Sequence, residues 1–98
     1  MKVSIQSVNF NADKALIDFV EEKAKQLDKF YDKIINIEVF LKVQQTAEKD
    51  NKHVEIKISI PGDEFMVKKQ AKYMEEGVNM ALDTLKRQLL KKKEKIRD

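Results

Sequence analysis

Lys86, Arg87, Lys91, Lys92, Lys93, Lys95 and Arg97 crowd the end of this 98-residue chain, where only Glu94 and Asp98 oppose them after position 83. The chemistry open to such a set is the binding of a polyanion, since ammonium and guanidinium groups meet phosphates without reading base identity. At about 100° per residue, Leu82, Leu85 and Leu89 mark the buried side of a helix. Lys86, Lys93 and Arg97 project close together beside that stripe, and Arg87, Lys91 and Lys95 broaden the basic surface. Lys23, Lys25, Lys29 and Lys33 extend it if an earlier helix packs alongside, giving one continuous cationic surface across two helices. The same charges also suit a solvated helix end that complements the dipole, and Lys25 and Lys29 stand in register to pair with Glu21, Glu22 and Asp28.

Other chemistry finds little material. His53 is the only histidine, it falls at the start of a strand, and no Ser or Cys partner is placed beside it. Glu21 and Glu22, like Glu75 and Glu76, are adjacent on helices and diverge, so neither couplet makes a carboxylate pair. Pro61-Gly62-Asp63-Glu64 lacks the repeated glycines and the Lys-Ser or Lys-Thr of a phosphate loop, and no dinucleotide motif occurs. With no cysteine there is neither a disulfide framework nor a thiolate metal site. The residues lead us to expect no enzyme, no metal and no cofactor.

The cationic residues must be positioned by elements whose periods are readable. Val3 and Ile5 alternate with polar neighbours as a short strand closed by Asn9 and Asn11. Asp13 is a good N-cap for a helix whose Leu16, Val20, Ala24, Leu27 and Phe30 recur at three and four. Ile35, Ile37, Val39, Leu41 and Val43 predict a long half-buried strand, followed by a polar, mobile loop over Gln45 to Asn51. Val54, Ile56, Ile58 and Ile60 predict another strand, ended by Pro61 and Gly62 in a type II turn. Phe65 and Val67 continue in a shorter strand, and Met74, Val78, Ala81, Leu82, Leu85 and Leu89 line the last helix. Gly77 interrupts that helix, marking close approach to a neighbour. Residues 91–98 are expected to project past the core as a frayed basic tail.

The order is β-α-β-β-β-α, an α+β fold with a four-stranded mixed sheet carrying both helices on one face, like that of double-stranded RNA-binding domains. On the outward sheet face Phe40, with Lys42 and Met66 nearby, offers a contact patch, although a lone aromatic serves cross-strand packing as well. Tyr31 and Tyr73, at helix boundaries, read as anchors at the core's edge.

Length and composition suit one domain, 1–98: 42% of residues are hydrophobic and 38% charged. The net charge of +3 hides an asymmetry, because residues 1–83 carry 13 basic and 15 acidic groups, so the basicity is terminal. No signal segment or spanning helix is indicated, and the cytoplasm is the expected location.

Phe19-Val20-Glu21-Glu22-Lys23, then Leu27 and Phe30-Tyr31-Asp32-Lys33-Ile34, are similar to the first helix of the ribosome hibernation promoting factors, also called ribosome-associated inhibitor Y or ribosomal subunit interface proteins, in their short form. Val39-Phe40-Leu41-Lys42-Val43 resembles that family's second strand, and Asp83-Thr84-Leu85-Lys86-Arg87-Gln88-Leu89 its last helix. The resemblance implies a protein that binds the small ribosomal subunit and the 70S ribosome at the decoding region, overlapping the tRNA and mRNA sites. It would halt translation during starvation or stationary phase by occlusion, as a monomer off the ribosome, without catalysis or membrane contact. Lys23, Lys33, Lys42, Lys86, Arg87, Lys91, Lys93 and Lys95 fall on recurrently basic family positions and are the implied rRNA contacts. Lys25, Lys29, Lys92 and Arg97 form a possible additional patch. The dimerisation domain of the long forms is not expected here. Tyr73-Met74-Glu75 and Asn79 depart from the family's Asp-Met-Tyr element and following aspartate.

Two other readings compete. Lys68-Lys69-Gln70-Ala71-Lys72 resembles the basic element that opens a helix in double-stranded RNA-binding modules, but Phe65, Met66 and Val67 precede it where glycine and serine are expected, so these lysines should end a strand instead. A protein-binding adaptor would use Phe40 and the outward sheet face.

Overall fold

Alternation of apolar and polar residues is realised as four strands, and three-and-four spacing as two helices. The computed structural model describes the backbone of residues 1–96 and side-chain surroundings through Glu94. Strand β1 (Lys2–Val8) leads into helix α1 (Lys14–Lys25), prolonged by a 3-10 turn over Gln26–Lys29. Strands β2 (Asn36–Val43), β3 (Lys52–Ile60) and β4 (Asp63–Ala71) follow, and helix α2 (Met74–Ile96) closes the described chain. The sheet order is β1-β2-β3-β4. β1 runs parallel to β2 through the α1 crossover, and the other pairings are antiparallel. The expected fold class is the one found.

Local chemistry sets the element ends. Asn9, one of the few residue types that tolerate the left-handed region, takes φ 66° just past β1. Asp13 Oδ1 accepts the Leu16 N–H at 2.8 Å and caps α1. Ile60 and Asp63 pair across Pro61 and Gly62, and Gly62 takes φ 78°, the positive value that the second central position of a type II turn requires.

The helix-facing rows of the sheet are Ile37, Val39 and Leu41 on β2, Val54, Ile56, Ile58 and Ile60 on β3, and Val67 and Ala71 on β4, all buried. Val20, Ala24 and Leu27 meet them from the first helical segment, and Val78, Ala81, Leu85 and Leu89 from α2. Burying each large aliphatic side chain contributes about 1.5–3 kcal/mol, which is why both helices lie on this face. Gly77 is the point of closest approach: a Cβ there would sit 2.9 Å from Val54 Cγ2.

Some expectations need correction. β4 spans nine residues, as long as β3, because Lys68, Lys69 and Gln70 continue the ladder opposite β3. Ile35 is 53% exposed because it stands one residue before β2, at the end of the sheet. Tyr31 is buried, but Tyr73 is 58% exposed, its ring 5.5 Å from Lys72 Nζ. α2 holds helical geometry through Ile96, so residues 91–96 are helix rather than a tail. Arg97 lies outside the described residues, as do the surroundings of the Lys95 side chain.

Candidate nucleic-acid interface

α1 and α2 lie side by side, and their facing flanks form a groove floored by Leu27, Phe30 and Leu82, with Lys23 on one wall and Lys86 on the other. Lys86 Nζ sits 4.2 Å from the centroid of the Phe30 ring, and Lys23 Nζ lies 5.8 Å from that of Phe19. The rings steady the lysine stems while the ammonium groups still face solvent. The groove opens at Phe30 into a wider mouth of 320 Å³ where Lys29, Lys33 and Lys93 converge around Tyr31 and Asp32. Phe30 lines both spaces, so five lysines from three segments share one concave track, opposed by Asp32 and Asp83. That placement follows from sequence: Lys86 and Lys93 are seven residues apart, two helical turns, and project from the same flank of α2.

The remaining candidates do not all join this track. Arg87 and Lys91 project from the opposite flank of α2 and, with Thr84, Gln88 and Lys69 of β4, line a separate cavity of 370 Å³. The lysine surface is therefore divided by α2 rather than continuous. Lys25 lies about 200° around α1 from Lys23 and does not line the groove. The expected in-register pairing of Lys25 and Lys29 is not made among the described residues; in α1 the ion pair formed is Lys14–Asp18, at 3.0 Å. Lys92 is drawn toward β4 instead, its Nζ 3.2 Å from Asp63 Oδ2, which removes it from the cationic surface.

Lys42 stands on the outward sheet face, away from both helices. It shares a shallow cavity of 280 Å³ with Phe40, His53 and Lys68. Met66 is not beside Phe40: it pairs with Lys57, whereas Phe40 pairs with Glu55, and β3 separates the two residues by two strand spacings, about 10 Å. Glu38, Lys57 and Glu64 form a charge chain there, with Lys57 Nζ 3.8 Å from Glu38 and 3.2 Å from Glu64. Both carboxylates hold the Lys57 ammonium above its ordinary pKa, chiefly through the Glu64 hydrogen bond. His53 pairs with Lys42 and Gln70 in the ladder, and its Nε2 has no hydrogen-bond partner among the described residues.

Lys69 is the residue the periodicity reading passed over. As part of a run of lysines it read as the polar end of a strand. Its parity was the available signal: with Val67 and Ala71 it faces the helices, opposite Val54. Lys68 and Lys69 thus point to opposite faces of β4, three or more residues before α2 begins. They do not form the helix-opening basic element of a double-stranded RNA-binding module.

The chain as a whole can be placed among known proteins. Residues 3–97 match the sequence model of the family described as Sigma 54 modulation protein / S30EA ribosomal protein. The chain belongs to this family. Within the S30EA family it is similar to the ribosome hibernation promoting factor of Pseudomonas putida, with 34% identity over 95 residues, 97% of this chain and 89% of the relative. Its fold matches that of a ribosomal subunit interface protein from Coxiella burnetii with a TM-score of 0.84 at 22% identity, covering 95% of this chain and 98% of the other. It also matches the N-terminal domain of Thermus thermophilus Protein Y with a TM-score of 0.75 at 24% identity, covering 92% and 93% respectively. These S30EA resemblances run the length of the sheet and both helices, so the groove between α1 and α2 belongs to the shared fold.

Of the positions where this S30EA chain departs from the expected family pattern, Asn79 lines the groove. Glu75 lies elsewhere, beside a cavity it shares with Phe10, Asp13 and Phe19.

Proposed function

We propose that this protein binds the small ribosomal subunit, alone and within the 70S ribosome, at the decoding region, and holds ribosomes in a hibernating state by blocking the tRNA and mRNA sites. It acts in the cytoplasm, as a monomer when off the ribosome. The observation that carries this reading is the single track along the helix pair on which Lys23, Lys86, Lys29, Lys33 and Lys93 converge around Phe30. The names of the relatives, ribosome hibernation promoting factor and ribosomal subunit interface protein, support the ribosome as the partner.

The mechanism is occupation rather than reaction. Lysines present compact charges to phosphates, so the track follows an RNA backbone regardless of sequence. Releasing the counterions of that backbone drives association, and each phosphate neutralised steepens the salt dependence by about 0.7–0.9 in log K against log salt. A folded domain seated on the rRNA then excludes tRNA and mRNA by volume, with no bond made or broken.

Co-sedimentation with purified ribosomes across a salt series tests the reading. The protein is expected to pellet with small subunits and 70S particles at near-physiological salt and to be displaced by tRNA. Lys86→Glu with Lys93→Glu should leave it in the supernatant. Wild-type protein that stays in the supernatant at that salt, or binds ribosomes without competition from tRNA, overturns the proposal.

A further inference from the structure

The groove between α1 and α2 is not cationic along its whole length. Its narrow end, a space of 130 Å³ floored by Leu27, Phe30 and Leu82, carries Gln26, Asn79 and Asp83 as well as Lys23 and Lys86. Gln26 opens the 3-10 turn, and Asn79 and Asp83 stand about one turn apart on α2. All three are exposed. Among the described residues, neither amide side chain makes a hydrogen bond. Asp83 reaches Arg87 only at 3.8 Å, and with the two side chains 68% and 69% exposed that contact holds it weakly.

Two amides and a carboxylate are poor partners for phosphate, because the carboxylate repels it and the amides carry no charge. They suit the edge of a base. An amide pairs bidentately with the amino group and N7 of adenine, and a carboxylate accepts the second amino hydrogen. A space of 130 Å³ is the share of about four waters, so one flat base lying on the leucine floor fills it. Phe30 joins this end to the 320 Å³ mouth, where Lys29, Lys33 and Lys93 stand with Asp32. Three cations against one carboxylate leave a net positive field for a short chain of phosphates. The two spaces together reach the roughly 300–1,000 Å³ range of small-molecule sites. An RNA strand fills the narrow end only by turning a base out of its stack, which costs about a few kcal/mol, whereas a free nucleotide has no stack to leave.

We infer that the groove is also a binding site for a free adenine nucleotide bearing several phosphates, with its base among Gln26, Asn79 and Asp83 and its phosphates on Lys29, Lys33 and Lys93. Those lysines belong to the proposed RNA track, so nucleotide and ribosome exclude one another and the nucleotide holds the protein off the ribosome. The binding stands on the groove alone; the competition rests on the ribosomal reading above.

Equilibrium dialysis of the full chain against ATP, UTP and inorganic tripolyphosphate, each with equimolar Mg²⁺ at one salt concentration, reads the site. The three ligands share a run of phosphates, and UTP sets a carbonyl oxygen where a base of the expected kind has its amino group. ATP should saturate one site with an affinity at least fivefold above that of UTP or tripolyphosphate. Gln26→Ala with Asn79→Ala should bring ATP down to the UTP level and leave tripolyphosphate where it was, with circular dichroism melts checking the fold. In ribosome co-sedimentation, saturating ATP should move wild-type protein into the supernatant, UTP at the same concentration should move far less, and the double variant should not distinguish the two. ATP bound no better than UTP, or ATP binding untouched by the double variant, overturns the inference and leaves the ribosomal reading standing. ATP that binds with the expected preference yet leaves sedimentation unchanged overturns the competition. Wild-type protein that fails to pellet without any nucleotide sinks the ribosomal reading, while the dialysis result still decides the site.

Discussion

Lys86 Nζ stands 4.2 Å from the centre of the Phe30 ring, an ammonium of α2 seated on an aromatic face from the end of the first helical segment. The pair ties the α2 wall of the groove to its floor and fixes where one of its charges points. Replacing the ring by an aliphatic, Phe30→Leu, keeps the apolar floor and removes the cation–π attraction, worth about 0.5–1 kcal/mol at an exposed site. Ribosome affinity should fall roughly two- to fivefold with the melting temperature nearly unchanged; unaltered affinity would show that the ring does not position Lys86 for binding.

Gly77→Ala should destabilise the protein despite adding a good helix former. The gain in helix propensity is about 1 kcal/mol. Against it, the new Cβ would meet Val54 Cγ2 at 2.9 Å, and Val54 is a fully buried, β-branched residue with little freedom to turn. Overpacking of this kind costs about 1–3 kcal/mol, so a net loss near 1 kcal/mol and a lower melting temperature are expected. A rise in melting temperature would refute the close approach.

Acid should weaken the tie between α2 and the β3–β4 turn. The Asp63 carboxyl is held below the ordinary carboxylate range, first by the Glu64 N–H that it accepts and then by the Lys92 ammonium. A folded-state value below the unfolded one means that the contribution is present above the carboxylate range and lost as pH falls through the folded value. Asp63→Asn should therefore lower the urea midpoint at neutral pH and converge with wild type in strong acid. Lys57, raised by Glu64 and Glu38, behaves oppositely: its contribution is present below the ordinary lysine range and disappears as pH rises through the folded value. Parallel midpoint curves for Asp63→Asn and wild type across the acid range would contradict this account.

Lys42 distinguishes a helical from a two-faced interface. It lies on the outward sheet face beside Phe40 and His53, away from the track. If RNA meets the helices alone, Lys42→Glu should change ribosome affinity less than twofold while Lys86→Glu lowers it severalfold. Comparable losses in the two variants, measured by co-sedimentation at one salt concentration, would bring the sheet face into the interface.

Asp13→Ala should cost about 1 kcal/mol by leaving the Leu16 N–H uncapped, lowering the melting temperature by about 4–8 °C in a domain of this size. A melting temperature within a degree of wild type would show that water replaces the cap without loss.

The sequence by itself determined the elements and the inward rows. Period two in Val54, Ile56, Ile58 and Ile60 and three-and-four spacing in Val78, Leu82, Leu85 and Leu89 leave one way to bury each face. The Asp13 cap and the Pro61-Gly62 turn were also legible, because each is enforced by backbone geometry within a few residues; Gly77 signalled a close approach, but its partner, Val54 of β3, was set by the packing of α2 on the sheet. Lys86 and Lys93 could be placed on one flank for the same reason. Only the tertiary structure decided what lies across from that flank. It brought Phe30, Lys29 and Lys33 to the α1 side, and Lys69 to the other side through the parity of β4. It also turned Lys92 onto Asp63, 29 residues distant, and set Lys42 on the far face of the sheet. Periodicity reports which side of an element avoids water, a local property. Which charges become neighbours depends on how elements remote in sequence are stacked, and that is settled by packing of the whole core.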